Sequence, residues 1–339
     1  MGALTLVITG AGGFVGRHTV AAARARGHAV LAMVRREASI PREWRGDTGI
    51  KPIVLDLGDA ASEDLATHLS GTDAVIHAAA SMDGNDEGHA RDTIGPTEVL
   101  LAALAVLADG PGAARASLPK LVLVSSLSVY DGQALPTGSV LDENSPLEAH
   151  PQARDAYCRA KLAQEALCRE AAGAIGFELA VLRPGAIFGP GRLWNGHLGH
   201  PVGRALIRVK DPGEVPVCHV THCATALVLA AEAPAGTIDT INVIDTDRPD
   251  RAEYIEALSK GGWPRLVLTL PWGLLARAGK VLGALGLGSR VPGLLRPAVL
   301  HARMKPLRYS TARLEALPGW EQGPGFAELM AAAHAEEAG

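Results

Sequence analysis

"TGAGGFVG", residues 9 to 16, closes an apolar run, "LTLVIT" (4 to 9), and opens a helix-like stretch from Gly13 to Arg26. Gly10, Gly13 and Gly16 stand at this junction. Tight turning, close approach of backbone to a pyrophosphate and close packing of helix on strand each call for a residue without Cβ. The helix N-terminus adds free N–H groups and roughly +0.5 charge. The spacing is GxxGxxG rather than GxGxxG, because position 15 is Val. A first strand followed by this turn predicts a dinucleotide phosphate held by Gly10, Gly13, Phe14, Val15 and Gly16.

Further apolar runs follow: "AVLAMV" (29 to 34), "PIVL" (52 to 55), "DAVIHAA" (73 to 79), "KLVLVSS" (120 to 126) and "ELAVLR" (178 to 183). Helix-like stretches separate most of them, including 93 to 108 and 152 to 174. Continuous apolar strands alternating with helices imply a parallel sheet covered on both faces. The fold class expected is therefore α/β: a Rossmann-type doubly wound parallel sheet with a smaller, mostly C-terminal substrate lobe. Residues 1–183 form the NAD(P)-binding domain in this reading. Residues 184–339 form mainly the substrate-binding lobe, with strands near 215 to 220 and 238 to 244 returning to the sheet.

Composition narrows the partners. The chain has 339 residues, 47% of them apolar and 20% charged, as a packed globular protein does. A net charge of −4 without a block of like charges gives no electrostatic footprint for nucleic acid or an anionic membrane, so a small molecule is the expected partner. The first residues lack a basic leader and run straight into the first strand, and Cys158, Cys168, Cys218 and Cys223 are too few for a disulfide framework; both point to the cytoplasm. The Leu- and Gly-rich segment 263 to 300 is interrupted by Pro271, Arg277, Lys280, Arg290 and Pro292 before any run reaches ~18 apolar residues, so no transmembrane segment is expected there. A lid or a core fits it, with a membrane-grazing amphipathic element as the lesser alternative.

The second strand ends in "MVRRE". An acid near this point suits the ribose hydroxyls of NAD, whereas Arg35 and Arg36 suit a 2′-phosphate. NADP(H) is the preferred cofactor, with NAD(H) the alternative. Asp56 and Leu57, after the third strand, border the adenine, Asp56 as acceptor from its amino group.

"DAYCRAKLAQEAL" (155 to 167) places Tyr157 and Lys161 four apart, on one helix face. Hydride transfer to a carbonyl leaves an oxygen that needs a proton. A tyrosine of pKa ~10 becomes an effective base only if its pKa falls by about three units, or ~4 kcal/mol, and a nearby ammonium supplies such stabilisation. "VLVSSLSVYD" (122 to 131) brings serines to the carboxyl end of a strand, where open α/β sheets bind ligands. Ser126 is the expected donor to the substrate oxygen, Ser125 the second choice and Ser128 the third.

"TGAGGFVG", "VIHAAA", "VSSLSVY", "YCRAK" and "LRPGAIFGPG", in this order, resemble the extended short-chain dehydrogenase/reductases, the superfamily of NAD-dependent epimerases and dehydratases and of 3β-hydroxysteroid dehydrogenase-like reductases. The resemblance covers nearly the whole chain. It implies Ser126, Tyr157 and Lys161 as the catalytic set, Ala78 and Ala79 as cofactor contacts, and Pro184 to Ile187 as the nicotinamide lining. His77, within a strand, reads as structural. Two departures stand out: "DTIGPT" puts Asp92 where an Asn is usual and Pro96 inside the motif, and "HVTH" (219 to 222) replaces two acids by Thr221 and His222. "CHVTHC" invites a metal reading, but its first residues end a strand and alternate in direction, so no metal site is expected.

The function implied is an NAD(P)H-dependent carbonyl reductase or secondary alcohol dehydrogenase acting on a hydrophobic small molecule. Its alternatives are a nucleotide-sugar epimerase with bound NAD and a non-catalytic redox-sensing or scaffold protein. By analogy with relatives, a homodimer paired through 93 to 108 and 152 to 174 is the expected assembly.

Overall fold

In the computed structural model, which describes residues 2–82, 84–110, 118–210, 213–284 and 296–338, the centre of the molecule is a seven-stranded sheet. Its strands are β1 (Thr5–Thr9), β2 (Ala29–Val34), β3 (Ile50–Val54), β4 (Ala74–His77), β5 (Lys120–Val124), β6 (Leu179–Pro184) and β7 (Thr240–Val243). They lie in the order β7-β6-β5-β4-β1-β2-β3, and every neighbouring pair is parallel. The order reverses direction at β1, so the carboxyl ends of β1 and β4 open a crevice at the topological switch point.

Successive residues along β1 explain why the strands are continuously apolar. Leu6 and Ile8 join a core that includes Val20 of helix α1 (Phe14–Ala25). Val7, between them, points to the opposite core with Leu65 of α2 (Ser62–Leu69), Leu100 and Leu104 of α3 (Gly95–Asp109) and Cys168 of α4 (Ala156–Ile175). Both faces of the sheet are buried, and period-2 alternation between polar and apolar disappears. Helix α5 (Val220–Glu232) lays Leu227 and Leu229 beside α1. Removing one such leucine to Ala costs about 2–5 kcal/mol.

The boundaries show local physics at work. β3 includes Pro52, tolerated because an edge strand leaves one row of N–H groups unneeded. α4 starts at Asp155, whose side chain accepts from Cys158 N at 2.9 Å, and ends at Gly176, left-handed at φ +92°. Pro96 has no N–H to give the fourth residue back, and the chain just before it, Ala90–Ile94, widens into a π turn.

Of the two later strands expected to rejoin the sheet, 240–243 does so beside β6, whereas Val217–His219 does not. It pairs with Ala186–Phe188 in a separate two-stranded ladder. After Pro184 the chain peels away at Gly185, where a Cβ would stand 2.1 Å from Pro216 O.

A third, three-stranded sheet, Gly199–Val202, Ala205–Lys210 and Leu266–Pro271, was not foreseen. It leads into helices Trp272–Ala284 and Pro297–Met304. The segment 263 to 300 thus contains an edge strand and an amphipathic helix, with 285–295 outside the described residues. No helix among the described residues is long and apolar enough to cross a membrane.

Candidate active site

At the carboxyl ends of β1, β2 and β4 lies a cleft of about 330 Å³. Of the residues expected to hold a dinucleotide, Gly10, Gly13, Arg35, Asp56, Leu57, Ala78 and Ala79 line it. Ala80, the last residue of the expected "HAAA" contact stretch from His77, lines it as well, and Gly12, Ser39 and Pro96 line it unanticipated by sequence. The cleft cannot tolerate side chains at its floor. Gly10 is left-handed (φ +62°) and a Cβ there would stand 2.9 Å from Ala79 Cα, while at Gly12 it would stand 2.8 Å from Ser39 O. Gly16 works differently, by packing: its Cβ would meet Gly10 O at 2.1 Å. Helix α1 begins at Gly13 with neither a side-chain cap nor an acid in its first turn. A bare helix N-terminus over a floor of glycines fits the pyrophosphate of a dinucleotide.

Phe14 and Val15 do not face this cleft. Val15 packs into the core, and the Phe14 ring lies under the guanidinium of Arg192 at 5.1 Å. Pro184 is buried and Ile187 packs against the core beyond the end of β6.

Arg35 is less free than its position in sequence implies. Its guanidinium lies 3.6 Å from Asp56 and 3.2 Å from Asp92, and Asp92 also pairs with Arg91 at 2.7 Å. The acid at the usual Asn position therefore ties the end of β2 to the helix beyond β4. Arg36 is exposed and makes no ion pair among the described residues. Asp56 accepts from Gly58 N at 3.1 Å and keeps 40% of its side chain exposed, leaving acceptor capacity toward the cleft.

At the end of β5 two adjacent serines point opposite ways. Ser125, buried, donates to Glu165, which Arg183 grips with two bonds of 2.9 and 2.6 Å. Arg183 also donates to the Tyr130 hydroxyl at 2.8 Å, and that hydroxyl donates to Asn242 at 2.7 Å. Ser125 is thereby consumed in locking α4 to the sheet. Ser126 turns to the other side: its Oγ accepts from Ser128 N at 3.1 Å, and it stands near enough to the Tyr157 phenol to favour the phenolate. Ser128 leaves its own hydroxyl buried without a partner among the described residues.

Burial pushes the Tyr157 phenol above its ordinary pKa, with Ser126 pulling in the opposite direction. The lysine does not behave as its spacing suggests. Lys161 Nζ donates to Val124 O and to Gln164 Oε1, both at 2.8 Å, and makes no hydrogen bond to the phenol among the described residues. Burial brings Lys161 down to about 8, Glu165 opposing. A polar chain continues inward: Gln164 Nε2 donates to Thr97 Oγ1 at 2.9 Å, His77 bridges Thr97 and Thr9 at 3.0 and 2.8 Å, and Thr9 Oγ1 accepts from Ala79 N at 3.2 Å. The helix lysine is thus wired to the floor of the cleft. His77 belongs to this wiring, and burial takes it down to about 3.

His89 was missed by sequence reasoning. Its ring centroid lies 6.0 Å from that of Tyr157, it is buried, and Nδ1 has no partner among the described residues. No spacing signal connects a His and a Tyr 68 positions apart in the chain.

The rings of His219 and His222 meet edge to face at 5.7 Å, but their Nδ1 atoms turn to different partners. His219 Nδ1 sits 2.7 Å from Thr221 Oγ1, and His222 Nδ1 lies 2.9 Å from Asp245.

The profile of the NAD dependent epimerase/dehydratase family matches residues 6–243, which takes in the glycine turn, both serines, Tyr157, Lys161 and, but for Thr5, the strands of the central sheet. The chain belongs to this family. A 4-hydroxy-2-methyl-3-oxo-4-farnesyl-3,4-dihydroquinoline-1-oxide ketoreductase of Stigmatella aurantiaca is 32% identical over 238 residues, 68% of this chain and 66% of that one. Cinnamoyl-CoA reductase 2 of Arabidopsis thaliana is 28% identical over 54% of each chain. This epimerase/dehydratase-family chain thus spans about two thirds and about half of the length of these curated relatives. Among solved structures, the UDP-glucose 4-epimerase of Thermus thermophilus in complex with NAD superposes with a TM-score of 0.68 over 99% of both chains at 20% identity, a likeness of fold. The family model and the reductase relatives support an NAD(P)-dependent enzyme of the extended short-chain dehydrogenase/reductase type.

Proposed function

We propose that the protein is an NADP(H)-preferring carbonyl reductase acting on an apolar ketone or aldehyde, with Ser126, Tyr157 and Lys161 as its catalytic set. The observation that carries this reading is the phenol of Tyr157, held against Ser126 at the carboxyl end of the sheet and kept protonated by burial. A bound nicotinamide supplies the hydride. Tyr157 gives its proton to the substrate oxygen, and Ser126, beside the phenol, steadies that oxygen. Burial favours the phenol over the phenolate, so the group is present in the form that can donate a proton. Lys161, charged through most of the neutral range at a pKa of about 8, is held by Val124 O and Gln164 rather than against the phenol, and its part is to bind the nicotinamide ribose and keep the cofactor in place beside Tyr157.

Arg36, unpaired at the end of β2, supports the preference for a 2′-phosphate more than Arg35, whose charge is shared with two acids. The farnesylated ketone in the name of the Stigmatella relative supports an apolar substrate. We take residues 1–183 as the cofactor-binding domain, and 184–339 mainly as the substrate side. The protein acts in the cytoplasm as a homodimer through the outer faces of α3 and α4, which expose Ala102, Val106, Ala163 and Ala166.

The test is a titration of purified protein with NADPH and NADH, followed by oxidation of the nucleotide with a panel of ketones and aldehydes. Tighter NADPH binding, and turnover that Tyr157→Phe lowers about 10²-fold or more, support the reading. Protein that holds NAD through purification and interconverts nucleotide sugars with no net nucleotide consumption overturns it in favour of an epimerase.

A further inference from the structure

Between Glu256 and Glu315 the chain contains no Asp or Glu and ten Lys or Arg, in a molecule of net charge −4. The cations are spaced apart and form no run of like charge. Residues 199–210 are also free of acids and add Arg204, Arg208 and Lys210. The three-stranded sheet and the helix Trp272–Ala284 bring together Arg204, Arg208, Lys210, Arg265, Arg277 and Lys280 from the two segments, while farther along Arg303 pairs with Asp155, Arg313 faces Glu143 and Lys305 is buried against Gly132 O.

The same lobe concentrates exposed apolar surface. Of the twelve large apolar side chains exposed among the described residues, six lie here: Val202, Leu266, Val267, Leu268, Leu274 and Val281. Three are consecutive in Leu266–Pro271, so both faces of that edge strand are uncovered. On the following helix, Leu274 and Val281 stand two turns apart on one face, more than half exposed. Arg277 and Lys280 flank them, exposed and without an ion pair among the described residues.

Cations beside uncovered leucines and valines match one kind of surface, the boundary of an anionic bilayer, where headgroup phosphates take the charges and acyl carbons take the apolar side chains. A second copy would oppose cations to cations across the same face. Nucleic acid offers no burial to Leu266, Leu268, Leu274 or Val281. We propose that this lobe docks the protein peripherally on anionic phospholipid, with helix Trp272–Ala284 lying in the plane of the interface.

The experiment is co-sedimentation of the full chain with phosphatidylcholine vesicles, with and without phosphatidylglycerol, at low and high salt. Wild-type protein is expected on the mixed vesicles and not on pure phosphatidylcholine, with release by salt. R277Q/K280Q is expected to lower partitioning about 30-fold, from two surface cations. L274S/V281S is expected to lower it at least ~10-fold. R45Q/K51Q, exposed near the β3 edge, is expected to change nothing. Cofactor binding measured by fluorescence serves as the fold check for every variant. No sedimentation of wild-type protein, or equal sedimentation with both lipid mixtures, overturns the proposal. So does a dimer in lipid-free buffer that L274S/V281S converts to monomer, which assigns the face to a second copy.

Discussion

Replacing Gln164 by Leu probes the wiring of the site without touching a reacting group. Gln164 Oε1 is one of two acceptors for the buried Lys161 ammonium, the other being Val124 O, each at 2.8 Å. Leu keeps the volume and removes the acceptor. A hydrogen bond to a charged group contributes about 1.5–3 kcal/mol, and at about 1.36 kcal/mol per pKa unit its loss lowers Lys161 by about one to two units. Starting from about 8, Lys161 arrives near 6 to 7, so its charged fraction at pH 7 falls from about nine-tenths to a half or less. The sign follows from the ammonium being the active form: rate is lost as pH rises through the Lys161 pKa. The alkaline limb of kcat/KM for carbonyl reduction therefore moves down by about one to two units in Gln164→Leu. In Gln164→Glu, where a carboxylate faces the ammonium, the limb moves up. Circular dichroism and cofactor binding establish that both variants fold. An alkaline limb that stays in place in both folded variants refutes the claim that Gln164 sets the charge of Lys161.

Other outcomes follow from the same geometry. Arg36→Ser is expected to weaken NADPH binding by about tenfold or more and leave NADH binding unchanged, since a charge-assisted contact to phosphate contributes about 1.5–3 kcal/mol; equal losses for both nucleotides in a titration contradict the role. Gly16→Ala puts a Cβ 2.1 Å from Gly10 O and forces the turn apart, so cofactor affinity is expected to collapse and urea unfolding to show a loss of about 1–3 kcal/mol; wild-type affinity in this variant excludes the packing argument. His77 is held neutral to about pH 3, below its usual value of 6.5. Between these values the unfolded chain binds a proton that the native chain does not, so stability falls as pH drops from 6.5 toward 3. By pH 5 the His77 contribution amounts to about 2 kcal/mol, and the difference between wild type and His77→Gln in urea unfolding at pH 7 and pH 5 measures it; no difference in pH slope refutes it.

The architecture was legible because burying a parallel sheet on both faces leaves its mark as uninterrupted apolar runs; Leu6, Val7 and Ile8 are all apolar for that reason. The glycine turn was legible because steric exclusion acts on the residue itself. What sequence could not reveal is where a polar group points once the chain is folded. Tyr157 and Lys161 share a helix, yet the ammonium goes to Val124 O and Gln164 rather than to the phenol. Arg35 finds Asp56 and Asp92 through contacts between different elements. His89 reaches Tyr157 across a large separation in sequence. The strand Leu266–Pro271 was hidden for another reason: its side chains are apolar where the fold leaves them uncovered, against the rule that apolar runs are buried.

The opposite orientation of Ser125 and Ser126 bears on how loss-of-function data for this protein will read. Ser125, Glu165, Arg183, Tyr130 and Asn242 form a keyed joint between α4 and the strands that carry the site. Cutting a buried ion pair such as Glu165–Arg183 costs about 3–5 kcal/mol. A scan scored on activity alone would therefore rank Glu165 with Tyr157 and invite its assignment as a general acid. Soluble yield and melting temperature, scored in parallel, separate the two groups: the joint fails as a fold, whereas Tyr157→Phe fails as chemistry in a protein of ordinary stability.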